Sequence, residues 1–152
     1  MYHMSKSIVL VLIITMFSCS SSEVSETDML IREKLTAIDE RIINGGLNTI
    51  IIPGEGCGGC ISQITGDLIS GIDTLNSNVV FTGIGDKKLL KNQLGKSVTE
   101  HSLVYFDYEN ILMDTRISSI YPQIVIITKN KLIIKSLYFN YWNFVFNSSR
   151  YG

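Results

Sequence analysis

Two cysteines separated by two glycines, Cys57-Gly58-Gly59-Cys60, are the residues of this chain best suited to chemistry. A thiol attacks a disulfide as its thiolate, so a redox site must lower a cysteine's pKa and leave its sulfur accessible. After Cys60 the apolar positions Ile61, Ile64, Leu68, Ile69 and Ile72 return at helical spacing, which predicts a helix to about Asp73 with the cysteines at its N-terminus. Unpaired amides and the helix dipole stabilise a thiolate at that end. Two intervening residues let the second cysteine fold back on the first and close a small ring. Cys57 is then the expected nucleophile and Cys60 the resolving thiol. A static structural disulfide is the competing reading of the same pair.

Other chemistries fit these residues less well. A structural zinc site needs four ligands as a rule. Beyond the first residues the chain offers only the cysteine pair, His101 and carboxylates, so no metal or organic cofactor is expected. The glycine-rich run from Gly54 to Gly59 lacks the Gly-Lys-Ser/Thr ending of a phosphate loop. Glu55 is the nearest carboxylate and has a conceivable role beside Cys60, but reads more simply as an exposed loop residue. His101 reads as a surface residue, Asp107 and Asp114 as solvated turn residues, and Tyr105, Phe106 and Tyr108 as strand packing. A net charge of -1 provides no basic surface for a phosphate backbone, so no nucleic acid is expected as a partner.

With 152 residues and 45% apolar content, the chain is sized for one domain with its own core. The third cysteine, Cys19, has a different setting. Lys6 precedes an apolar run from Ile8 to Ile14, extended by Met16 and Phe17 and closed by Ser18-Cys19. Such a run is about half the ~20 residues a membrane-spanning helix requires, and it is followed by polar sequence, so residues 1–18 read as a signal peptide. Its end resembles a bacterial lipobox, with Met16 where leucine is usual. That resemblance implies lipidation of Cys19 and a place in the bacterial cell envelope, anchored to a membrane by lipid with the domain outside the cytoplasm. An ordinary secretory signal is the alternative. Export in either form exposes the thiols to an oxidising compartment. Residues 19–28 are rich in serine and acid and suit a flexible tether.

The domain is expected over 29–152. A first helix, capped by Thr27 or Asp28, carries Ile31, Leu35, Ile38 and Ile42 on one face and stops at Asn44-Gly45-Gly46. Leu47 to Ile52 and Asn78 to Ile84 read as buried strands, and Asp86 caps a short helix through Lys87, Leu90 and Leu94. Ser102 to Tyr108 is a third strand, or one arm of a hairpin turning at Glu109-Asn110. Ile124 to Thr128 and Leu132 to Tyr138 flank the turn Lys129-Asn130-Lys131 and form a hairpin. Strands alternating with helices and ending in a hairpin imply an α/β sandwich with a mixed sheet. The tail from Phe139 holds Tyr141, Trp142, Phe144, Phe146 and Tyr151, which predicts docking on the sheet.

A strand, a CxxC at a helix start and a proline directly before an apolar hairpin, Tyr121-Pro122-Gln123-Ile124-Val125-Ile126-Ile127, together resemble the thioredoxin-like superfamily across residues 47–138. The export signal points to its membrane-anchored TlpA and ResA group. The resemblance implies a central mixed sheet flanked by helices, here with an extra N-terminal helix. It implies a monomeric thiol-disulfide oxidoreductase that serves disulfide-containing exported proteins and exchanges electrons with a membrane donor or acceptor. It also implies a cis Tyr121–Pro122 bond beside the dithiol, where the backbone of Tyr121 and Pro122 meets substrate. Gly56 stands where the family carries tryptophan, Gln123 where threonine is common, and Ile50 to Ile52 are aliphatic where an acid is usually buried. A non-catalytic binding module of the same fold, with the disulfide as a brace, is the second reading.

Overall fold

A computed structural model describes residues 25–113, 117–128 and 131–137. Residues 1–18, for which a signal peptide is expected, Cys19, most of the expected tether, Asp114 and the aromatic tail lie outside the described residues.

Among the described residues, four α-helices and five strands make an α/β fold around one mixed sheet. The elements are α1 (Glu26–Ile38), α2 (Arg41–Asn44), β1 (Thr49–Pro53), α3 (Gly58–Gly71), β2 (Asn78–Thr82), α4 (Lys87–Thr99), β3 (Val104–Phe106), β4 (Gln123–Ile127) and β5 (Leu132–Ser136). The strand order is β3-β2-β1-β4-β5. The first three strands run parallel, and β4 and β5 each run antiparallel to their inner neighbour. The third strand is thus a parallel edge strand and not a hairpin arm, whereas β4 and β5 form the expected hairpin.

Strand alternation divides the core between the two faces of the sheet. Ile50, Ile52, Val79, Phe81 and Ile124 pack with Ile64 and Leu68 of α3 and with Leu94 and Val98 of α4. Ile51, Val80 and Val125 face the other way, onto Ile31 and Leu35 of α1 and Ile42 of α2. The two crossovers, β1-α3-β2 and β2-α4-β3, step the same way across the sheet. With a common crossover handedness they must share one face. The opposite face is left for α1 and α2. Burial on both sides explains why β1 and β2 are buried at every position and read as unbroken apolar runs.

Local chemistry moves several expected boundaries. The hydroxyl of Ser25 caps α1 by accepting from the Thr27 amide at 3.2 Å, so the helix begins at Glu26, inside the expected tether. Asp28 does not cap. Its carboxylate is buried and accepts from the Leu132 amide at 3.0 Å, tying α1 to the start of β5. The single predicted helix is broken at Asp39, which is extended and accepts from the Arg41 amide and Nε, each at 2.9 Å. An aspartate that bonds the backbone two residues on competes with helix continuation. Asp86 does cap α4, accepting from the amides of Lys88 and Leu89 at 2.9 Å. That helix is longer than expected and is interrupted at Gly95, whose φ is +76°.

Candidate active site at the Cys57–Cys60 disulfide

The carboxyl end of β1 leads through the bend Gly54-Glu55-Gly56 directly into α3. Cys57 is the residue before the first turn, and Cys60 closes that turn. The two are joined as a disulfide with a Cα–Cα distance of 5.3 Å, within the usual range for such a bridge. Both cysteines are half-buried and the glycines between them are exposed. The sulfurs therefore lie at the positive end of a helix with a solvent-facing side. Ile61 donates its amide to the Cys57 carbonyl at 2.9 Å and continues the helix.

Backbone contacts clamp this loop on both sides. The Gly54 amide donates to the Thr82 carbonyl at 2.7 Å, and a Cβ at Gly54 would overlap the Gly83 carbonyl. The Cys57 amide donates to the Ile120 carbonyl at 2.8 Å. Gly56, at φ +138°, has no room for a Cβ against the same carbonyl. Position 56 is thus a glycine required by backbone approach. Glu55 is exposed.

The Tyr121–Pro122 bond is trans, since the described residues contain no cis peptide. The expected cis geometry is therefore not found. Pairing of β4 with β1 begins at Gln123 against Ile51, so Pro122 precedes the ladder and needs no amide there. Its carbonyl accepts from Leu137 at 2.7 Å, and the Tyr121 amide donates to Ser119 Oγ at 3.0 Å. The trans form is also the intrinsically favoured one. The segment still reaches the disulfide, but through Ile120. Pro122 is buried, Tyr121 is half-buried, and the Ile120 side chain is 59% exposed. Nothing in the pattern Ser118-Ser119-Ile120 marks Ile120 as the contact residue.

Asp107 is the clearest departure from expectation. It is not solvated but 1% exposed. Its carboxylate accepts from Thr82 Oγ1 at 2.7 Å and from the amides of Ile111 and Leu112 at 2.8 Å. Together these bonds pin the loop after β3 to the carboxyl end of β2. His101 is half-buried, and its Nδ1 accepts from the Leu103 amide at 3.3 Å, shaping the turn into β3. Tyr105 is buried with the Arg41 guanidinium 5.5 Å from its ring centre, and burial pushes its phenol above the usual range. Phe106 stacks between Phe81 and Tyr108 with ring centres 5.6 Å apart on each side.

Among the described residues no three His, Cys, Asp or Glu side chains are grouped to hold a metal ion. Nor is any described helix long and apolar enough to cross a membrane. Comparison of the chain with protein-family models, curated proteins and solved structures returned no match. What the site itself offers is a half-exposed dithiol pair, bonded as a disulfide at a helix N-terminus and held from two sides by main-chain contacts.

Proposed function

We propose that the chain is a thioredoxin-like thiol-disulfide oxidoreductase, exported and tethered by lipid at Cys19, that reduces or exchanges disulfides in exported proteins. The observation that carries this reading is the position of the pair: Cys57 at the N-terminus of α3 and Cys60 one turn in, bonded to each other. In the reduced protein the Cys57 thiolate attacks one sulfur of a substrate disulfide. A mixed disulfide forms, and the other substrate sulfur leaves as a thiolate. The Cys60 thiolate then attacks Cys57 Sγ, expels the second substrate thiolate and restores the Cys57–Cys60 bond. Two electrons pass to the substrate, and a membrane dithiol donor resets the pair. Run backwards, the same steps oxidise a substrate dithiol. The Tyr121–Pro122 segment, just past Ile120, is the proposed contact for substrate, through groups other than the Tyr121 amide and the Pro122 carbonyl, which are bonded within the chain.

Trapping tests this reading. Cys60→Ser should accumulate a mixed disulfide between Cys57 and a model disulfide protein, and Cys57→Ser should not. Absence of the adduct in Cys60→Ser would remove the proposal.

A static brace is favoured by one feature. The β1 residues Ile50 to Ile52, in the strand that leads to the pair, are buried and aliphatic, so they supply no proton acceptor to Cys60. This second reading requires a potential below roughly −300 mV, too stable for turnover.

A further inference from the structure

A net charge of -1 conceals a local concentration of cations. Lys87, Lys88 and Lys91, three of the thirteen lysines and arginines, open α4, and all three are exposed. Free amides and the helix dipole make a helix N-terminus positive, so this is the unfavourable end for a cation. No acidic residue stands in the first turn of α4, and the Asp86 carboxylate is already bonded to the amides of Lys88 and Leu89. Among the described residues none of the three lysines is in an ion pair.

Aromatic rings hold two of these ammoniums without neutralising them. Lys87 Nζ lies 4.5 Å from the centre of the Tyr108 ring. Lys91 Nζ lies 5.6 Å from the same ring and 5.9 Å from that of Phe106. Both rings belong to the stack that begins at the buried Phe81, so the platform is anchored in the core. A ring attracts a cation but leaves its charge in place. The result is a cationic surface fixed before any partner arrives.

The surface shares an end of the sheet with the disulfide. β1, β2 and β3 run parallel, so the Cys57–Cys60 loop after β1, the start of α4 after β2 and Tyr108 after β3 all follow carboxyl strand ends. Two strand spacings, about 10 Å, separate β1 from β3. A polypeptide that covers about 800 Å² of surface spans both. The same loops expose the carboxylates of Glu55 and Glu109. An anionic membrane or a nucleic acid would press its charge against these as well as against the lysines, whereas a short acidic stretch of polypeptide can meet the lysines alone.

We propose that Lys87, Lys88 and Lys91 form a docking surface for an acidic stretch of the polypeptide whose disulfide is exchanged at Cys57. The inference rests on thiol-disulfide exchange at that cysteine. It narrows the substrate class to polypeptides with carboxylates about four extended residues, or ~13 Å, from the reacting cysteine.

The test uses the reduced full-length protein and two peptide disulfides that are identical except for three glutamates or three glutamines beginning four residues from the cysteine. Bis(2-hydroxyethyl) disulfide serves as a small uncharged substrate. Wild type should favour the acidic peptide by about three- to tenfold in kcat/KM at low ionic strength, and the preference should fall toward one in about 0.5 M salt. Lys87→Gln, Lys88→Gln and Lys91→Gln combined should bring the ratio close to one, with the uncharged disulfide reduced as in wild type. Lys91→Gln alone should lower the ratio. Lys96→Gln removes the same charge further along the helix, where Lys96 pairs with Glu100 at 3.8 Å, and should leave the ratio unchanged. Because each ratio is taken within one variant, partial loss of folded protein does not alter it. Equal falls in the two single variants would assign the preference to net charge and overturn the docking surface, as would an unchanged ratio in the triple variant. A wild-type ratio near one also overturns it, and lysine-dependent binding to vesicles of anionic phospholipid would then assign the surface to a membrane. If wild type reduces neither peptide nor the uncharged disulfide, exchange at Cys57 is itself wrong and the docking surface falls with it.

Discussion

The amide of Cys57 donates to the carbonyl of Ile120 at 2.8 Å, so the first cysteine is fixed by main chain from the approach to β4. The contact sets the orientation of the disulfide without any side chain. It also explains Gly56, whose φ of +138° and closeness to the Ile120 backbone exclude a Cβ.

Gly56→Ala should therefore displace the Ile120 segment and destabilise the fold by about 3 kcal/mol, combining backbone strain with steric overlap. Gly59→Ala is the matched control. A Cβ at Gly59 meets nothing within 4 Å, and alanine favours the helix by up to ~1 kcal/mol. Denaturant unfolding of both variants checks the contrast. Equal effects would refute the clamp.

Asp107 gives a second prediction. Replacing it with alanine leaves the Thr82 hydroxyl and the amides of Ile111 and Leu112 without their acceptor. A loss of about 3 kcal/mol or more is expected, with faster hydrogen exchange at Ile111 and Leu112 than elsewhere. A surface aspartate would change neither quantity appreciably.

How far the sequence shows these features depends on the range of the interaction behind each. The dithiol at a helix start, the buried strands β1 and β2 and the β4–β5 hairpin follow from local periodicity, and the structure contains them. The trans state of the Tyr121–Pro122 bond is the ordinary preference of an X–Pro bond, and the expectation of cis came from the resemblance alone. Asp28 and Asp107 each resemble ordinary cap or turn residues in sequence. Their partners, Leu132 for one and Thr82 for the other, come from distant strands. For Asp107 a signal did exist: an acid directly after a parallel strand lies at the carboxyl end of the sheet, where loops converge. The break at Asp39 was local but hidden, because Ile38 and Ile42 keep helical spacing across it.

Asp39 also makes a pH-dependent prediction. The side-chain hydrogen bond from Arg41, and then the bond from its amide, hold the Asp39 carboxyl below its ordinary value. A group whose folded pKa is depressed stabilises the fold fully above its unfolded pKa, about 3.9, and loses that contribution as pH falls through the folded value. Asp39→Asn should thus be slightly less stable than wild type above pH 5, and the gap should close below about pH 4. The effect is small, because Arg41 is 66% exposed and the pair is screened by solvent. Unfolding midpoints across that range measure it, and a gap that widens on acidification would contradict the assignment.

The central claim is that the Cys57–Cys60 bond turns over. Equilibrium titration of the purified protein against a graded thiol-disulfide buffer, read by alkylation of freed thiols, tests this most directly. The account predicts reversible two-electron reduction of this pair at a potential between about −270 and −120 mV, the span of working dithiol proteins. A bond that stays oxidised until below about −300 mV, or that cannot be re-formed after reduction, would contradict it.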